Sequence, residues 1–394
     1  MPVTPRPLVI TNDFLPDVGG IQYYLGEILR RLPDAAVVAP SHPDADSHDP
    51  GLAYPVHRFG DPTGQVPGLD GWVLPTAGVT ARVRQVAAIH DANVVICAAP
   101  WPLVPAALGL DLPVVVMTHG AELVLPARVP AVARVLGRQL GAANLLTTVS
   151  TWTGRHLRRL VGPDGPPIRL VRPGVDAATF SPDADGEAIR ARHALGTDPT
   201  AVFVGRHVPR KGIDVLVDHW SAVRRKVPNA RLLVTGDGRL TPSLRDRVAA
   251  RGDDAIVLAG RVPWEELPAH HGAADVFVHP NRSRWGGLEQ EGFGVIFLEA
   301  QAVGRPVIAG DSGGSPETLV PGETGLLVDG DDPASVVAAI VELLTNREHA
   351  RTMGAAGREF VRREFDWDDI VAGLRDDLTA VVAGRRPKSS PGLG

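Results

Sequence analysis

The segment EQEGFGVIFLE, residues 289–299, sets Glu291 directly before Gly292-Phe293-Gly294 and a second carboxylate, Glu299, eight positions after the first. Glycine backbone opening a helix lets N–H groups approach an anion closely, and the helix dipole favours negative charge there. Carboxylates accept hydrogen bonds from hydroxyls, so two acids around such a turn suit a ligand with sugar hydroxyls at both ends and phosphate between them. At about 1.5 Å rise per residue, Glu299 lies roughly 7 Å along the helix from Gly294. Upstream, FVGRHVPRKG sets Arg206 after an apolar run and Lys211 five residues later, before another helix start. Two cations at the mouth of a parallel sheet can neutralise a diphosphate and stabilise charge developing on a leaving phosphate.

Three further stretches have the same character. In VVVMTHGAE, His119 follows an apolar run and precedes a glycine, the position of a cleft-facing histidine in an open α/β sheet, although a lone histidine there also serves purely structural roles. In VITNDFLPDVGGIQYYLGEILRRL, Gly19-Gly20 stands immediately before an amphipathic pattern, fit for a phosphate at a helix N-terminus or for a plain turn. The pair is not G-x-G-x-x-G, which argues against a dinucleotide fingerprint and a nicotinamide oxidoreductase. SGGSPET, with Gly313, Gly314 and Glu317, repeats the glycine-turn device and is expected to line the same cleft.

The elements that must position these residues are legible as rhythm. PLVIT, AAVVAP, NVVICAA, PVVVMT, NLLTTVS and IRLVRPG alternate with longer helical patterns in the first half. AVFVGR, ARLLVTGDG, AIVLAGR, DVFVHP, RPVIAG and TGLLVD do so in the second. Short, nearly continuous apolar runs indicate parallel strands buried on both faces. The fold expected is α/β, two Rossmann-like domains with parallel sheets facing across a cleft. A Pro-, Gly- and Asp-rich connector sets the boundary near Phe180, giving domains at 1–180 and 181–365. An amphipathic helix over 366–382 follows, its face drawn by Phe365, Ile370, Leu374, Leu378 and Val381, and residues 383–394 read as a disordered tail.

Composition narrows the function classes. A 44% apolar, 22% charged chain of 394 residues is a soluble globular protein with room for two cores. A single cysteine, Cys97, excludes a disulfide framework, and a net charge of -5 argues against generic nucleic-acid binding. The N-terminal stretch has no long apolar core and no run approaches about 20 apolar residues, so a cytoplasmic protein with at most peripheral membrane contact is expected. Between Gly120 and Arg172, Arg128, Arg134, Arg138, Arg155, Arg158, Arg159, Arg169 and Arg172 face only Glu122 and Asp164. Solvated helix faces or a patch for anionic phospholipid both fit this asymmetry. DADSHD, residues 44–49, reads as a polar loop, and no metal is expected.

Taken together, Gly19-Gly20, His119, the Arg206 to Lys211 spacing and the Glu291-x7-Glu299 motif resemble the retaining glycosyltransferases of family 4, which have the GT-B fold. The resemblance spans essentially the full chain. It implies a nucleotide-sugar donor held mainly by the second domain, with Arg206 and Lys211 on the pyrophosphate. Glu291 and the Gly292-Phe293-Gly294 amides would lie on the sugar, Glu299 on the ribose, Val262 by its backbone on the base and Gly19-Gly20 against the phosphate. His119 would approach the reacting centre, and the last helix would return to the first domain. Within the family, the stretches around Gly19-Gly20 and Glu291 are most similar to actinobacterial GDP-mannose-dependent phosphatidylinositol (monomannoside) mannosyltransferases, which implies a lipid acceptor whose inositol phosphate meets Gln22. A UDP-sugar donor with a soluble or polysaccharide acceptor, or a silent sugar-nucleotide-binding module, are the alternatives left by the sequence.

Overall fold

The computed structural model describes residues 3–59, 74–252 and 254–394. It divides into two compact units, Met1–Pro173 with Trp367–Gly394, and Gly174–Asp366. The divide thus falls ahead of the expected boundary at Phe180. Residues just after Pro173 already belong to the second unit, because Val175 bridges Asp366 and Phe180 packs edge-on against Trp264.

The first unit is built on strands β1 (Pro7–Ile10), β2 (Ala36–Pro40), β3 (Val56–Phe59), β4 (Val94–Cys97), β5 (Val114–Thr118), β6 (Leu145–Thr148) and β7 (Ile168–Leu170). They form one parallel sheet in the order β3-β2-β1-β4-β5-β6-β7. The direction of winding reverses between β1 and β4. Ligands of open α/β sheets bind beyond the carboxyl ends of strands at such a reversal. The loop after β1 leads to Gly19-Gly20, and His119 follows β5, the strand next to β4.

The second unit repeats the plan with β8 (Thr200–Val204), β9 (Arg231–Thr235), β10 (Ile256–Gly260), β11 (Val276–His279), β12 (Val307–Gly310) and β13 (Gly325–Val328) in the order β10-β9-β8-β11-β12-β13. The reversal here lies between β8 and β11. Alternation along β8 shows why the apolar runs are continuous. Ala201 and Phe203 pack with Ile213, Val217 and Trp220 on one face, while Val202 and Val204 pack with Phe277 and Phe297 on the other. Both faces of the sheet are dry, so no polar residue is wanted inside the strand.

The last helix, Trp367–Val382, belongs to the first unit and buries Trp367, Val371, Leu374, Leu378 and Val381. Its inward face therefore uses Val371 rather than Ile370, and Phe365 stays in the second unit, tilted against Phe293 and edge-on to Phe360. Arg31 and Arg169 fasten the helix through Asp368 at 2.5 Å and Asp377 at 2.7 Å.

The tail expected to be disordered is instead packed. Ser390 donates its backbone N–H to Ile168 O (2.8 Å), while the Ser389 and Ser390 hydroxyls accept from the amides of Ile168 (3.2 Å) and Leu170 (2.9 Å). β7 is the sheet edge, and an unpaired edge strand is a row of open backbone groups that any extended segment can satisfy. Leu393 is 1% exposed, seated so close to Gly154 that a Cβ there would meet its Cδ2 at 2.7 Å, and the Arg158 guanidinium donates to its carbonyl at 3.0 Å. Truncation after Gly384 is expected to destabilise the protein by about 2 kcal/mol, since burial of a leucine stabilises by roughly that amount. The denaturation midpoint reads this, and an unchanged midpoint would mean the tail contributes nothing.

Candidate functional site

The carboxyl ends of β8 and β11 carry the second unit's cluster. After β8 the chain makes a tight turn, Pro209–Lys211, and Gly212 follows at φ 73°. A Cβ on Gly212 would lie 2.1 Å from Pro280 O, so only glycine allows this turn to rest on the segment that leaves β11. The result is a meeting of charges. Lys211 Nζ and Arg210 Nη1 each stand 2.6 Å from the same oxygen, Glu291 Oε2.

Glu291 is held from its other side by the SGGSPET turn. Gly314 donates its N–H to Glu291 O at 2.9 Å, and a Cβ on Gly313, at φ 60°, would sit 1.9 Å from that same oxygen. Asn281, fully enclosed, donates to Ser315 Oγ at 2.8 Å, lies 3.5 Å from Glu291 Oε2 and contacts His279 Nδ1. The His279 ring stacks on Phe203 with centroids 4.5 Å apart.

The electrostatics follow from burial against pairing. Side-chain exposures of Glu291, Lys211 and Arg210 are 11%, 12% and 15%, too low for water to screen them well. Burial alone would raise the Glu291 pKa, but Lys211 and Arg210 outweigh it and hold the carboxyl well below the usual range. Burial pushes the Lys211 ammonium down, with Glu291 opposing. Burial, then Lys211, keeps His279 neutral. An ammonium and a guanidinium spend one donor each on Glu291 and retain others for an incoming anion.

Among the predicted residues, the structure joins Lys211 and Glu291 directly. Arg206 is exposed at the end of β8, near enough for its charge to act on Lys211. Phe293 is 4% exposed and faces Phe365, an anchor for the glycine turn rather than an open surface. Gly292 backs onto Gly314, and Gly294 is the N-cap of the helix Val295–Ala302 with no side-chain cap. Glu299, on that helix, is 5% exposed and faces His271 rather than Lys211. Val262 follows the edge strand β10, two strands from β8, or about 10 Å at ordinary strand spacing. Arg210 and Asn281 were not foreseen. Arg210 had one signal, its place beside Lys211 in a turn too short to point the two apart; Asn281 had none.

In the first unit, His119 is half-buried beyond β5. Its Nε2 donates to Ala98 O at 3.2 Å, which leaves Nδ1 as the acceptor, and the Tyr24 ring meets it edge-on at 5.5 Å. Glu122 accepts the N–H groups of His119 and of Gly120, the latter at 3.0 Å. Asp13, missed in the sequence, lies near this group; burial raises its carboxyl pKa and His119 opposes the rise. Gly19 caps the helix Gly20–Arg30 without a side-chain hydrogen bond, and a Cβ there would strike Gln22 Oε1 at 2.4 Å. Gln22 therefore folds over Gly19, while the space beside Gly20 stays open. It also lines a mainly apolar recess of 270 Å³ with Leu15, Tyr23 and Tyr54.

The arginine-rich segment splits in two. Arg158 and Arg169 are internal fasteners, to Leu393 and Asp377. Arg134 and Arg138 on the helix Pro130–Gly141, and Arg155 and Arg159 on the neighbouring helix Thr151–Val161, are exposed and four residues apart, each pair on one face. DADSHD is solvent-facing at Asp44, Asp46 and Ser47 but is not a plain loop. Ala45–His48 forms a short helix, and Asp49 pairs with Arg58 at 2.6 Å, its carboxyl pKa lowered by that hydrogen bond.

Residues 185–360 match the family model described as Glycosyl transferases group 1, and residues 18–179 that of Glycosyltransferase Family 4. The chain is 40% identical to the GDP-mannose-dependent alpha-(1-6)-phosphatidylinositol monomannoside mannosyltransferase of Mycobacterium tuberculosis, over 96% of this chain and 100% of the relative. It is 35% identical to the GDP-mannose-dependent monoacylated alpha-(1-6)-phosphatidylinositol monomannoside mannosyltransferase of Corynebacterium glutamicum, over 93% and 96%. Among solved structures, Anabaena HepE with UDP and glucose superposes with a TM-score of 0.78 at 19% identity, covering 95% of this chain and 99% of that one. Sucrose-phosphate synthase from Thermosynechococcus elongatus does so at 0.77 and 25%, covering 96% and 100%.

Proposed function

We propose that this chain, which belongs to the family 4 glycosyltransferases of GT-B fold, moves mannose from GDP-mannose onto a phosphatidylinositol mannoside-type lipid at the cytoplasmic membrane face. The observation that carries the reading is the buried meeting of Lys211, Arg210 and Glu291 at the winding reversal of the second unit. An anionic diphosphate displaces part of Glu291's hold on the two cations, and Glu291 gains sugar hydroxyls in exchange.

In this reading the bond from the sugar's anomeric carbon to the phosphate oxygen breaks as a bond from that carbon to the acceptor hydroxyl oxygen forms on the same face. The hydroxyl proton passes to the departing phosphate. Lys211, Arg210 and Arg206 stabilise the charge growing on that phosphate, a role side-chain cations fill without a metal. His119, its proton fixed on Nε2 by Ala98, offers Nδ1 to a sugar hydroxyl. Gln22 meets the acceptor's inositol phosphate, and Gly19-Gly20 sits against the donor's phosphate. The apolar recess beside Gln22 and the paired exposed arginines support an anionic lipid acceptor. Among the described residues no helix is long and apolar enough to cross a membrane.

A thermal-shift panel with GDP, UDP, ADP and dTDP tests the donor. GDP alone is expected to raise the melting temperature, since a ligand at 100 times its Kd stabilises by about 2.7 kcal/mol. A shift with UDP alone would overturn the mannosyl reading, and no shift at all would overturn the donor site.

A further inference from the structure

His271 and Glu299 form a pair whose histidine nothing described so far uses. His271, on the short helix Leu267–Gly272, is 0% exposed, and neither ring nitrogen has a hydrogen-bond partner. Glu299 Oε2 is likewise buried and without one. The two face each other, with His271 Nε2 3.4 Å from Glu299 Oε2. Rings of Phe180 and Phe277 flank the imidazole at 6.0 and 5.1 Å. Such a pocket would take phenylalanine readily, and a buried polar ring with no partner is a standing loss of free energy. A state in which the nitrogen is used removes that loss.

We propose that His271 is the positioning residue for Glu299, donating Nε2–H to Oε2 when a ribose diol engages the carboxylate, so that Oε1 is aimed at the ribose hydroxyls. This rests on the reading of Glu299 as the ribose contact. The gap of 3.4 Å is a few tenths of an ångström longer than an ordinary N–H···O bond, so a small rotation of the carboxylate closes it. A fixed carboxylate accepts from a diol without first losing its own rotamer freedom.

The test is the binding of GDP and of 2′,3′-dideoxy-GDP to the wild type and to His271→Phe, His271→Gln and Glu299→Gln, by calorimetry. Wild type is expected to prefer GDP, and Glu299→Gln to weaken GDP about 10-fold while leaving the dideoxy analogue unchanged. His271→Phe is expected to copy that selective loss, and His271→Gln, whose amide can still donate, to recover most of it. Equal weakening of both ligands in His271→Phe would make the residue merely structural and overturn the proposal. If Glu299→Gln itself leaves the preference intact, the ribose reading fails, and the proposal with it. Should the Phe variant not fold, the nitrogen-15 resonance of His271 Nε2 in wild-type protein decides. It should shift on GDP addition and not with the dideoxy analogue; an unmoved resonance refutes the idea.

Discussion

Lys211→Ala is expected to lower turnover about 10³-fold, the scale on which losing one preorganised donor to a developing oxyanion acts in other enzymes. The protein should nevertheless remain folded, and the reason lies in the pairing. Glu291 keeps Arg210 at 2.6 Å when Lys211 is gone, so no buried carboxylate is orphaned. Burial already works against the Lys211 charge, and removing the ammonium relieves that penalty. Circular dichroism and melting temperature should sit close to wild type, with GDP affinity reduced far less than turnover. A variant with near-normal turnover would refute the assignment of Lys211 to the leaving phosphate, and an unfolded variant would refute the pairing argument.

Glu291→Gln is expected to behave oppositely, with stability as the larger casualty. The substitution leaves Lys211 and Arg210 charged and mostly buried against a neutral amide, and breaking a buried pair from one side costs about 3 kcal/mol. The sign with pH follows from the depressed pKa of Glu291. Its contribution is fully present above the ordinary carboxylate value of about 4.3 and is lost as pH falls from there toward the folded-state value. The stability gap between wild type and Glu291→Gln should therefore be constant from pH 7 to about 5 and narrow below about 4. Denaturant unfolding at several pH values reads this directly. A gap that is absent at pH 7, or that grows in acid, would show that the carboxylate is not held by the two cations.

Much of this molecule is legible before any coordinates. β8 reads TAVFV because both of its faces are dry, so its strand character survives in composition alone. The glycine turns before helices are equally plain, since a position that must sit at φ 73°, or whose Cβ would fall 2.1 Å from another carbonyl, leaves a glycine in the text. The motif order from Gly19-Gly20 to Glu299 was enough to indicate the family.

What went unread depends on partners far apart in the chain. Residues 383–394 carry the composition of a frayed end, yet β7 is an edge strand and its open amides find Ser389 and Ser390 more than 200 residues later. Ile370 and Val371 are equally apolar, and only the packing of the last helix chose the second. Arg210 had to be seen against Glu291, 81 positions away, and His271 against Glu299. By itself the sequence determined the two parallel sheets, the glycine turns and the residue types of a sugar-nucleotide site, because local periodicity and backbone sterics are written in each segment. Tertiary structure alone decided which charges neutralise one another and which histidine is buried without a partner. Those outcomes rest on burial and on distances of a few ångströms, which only the folded chain sets.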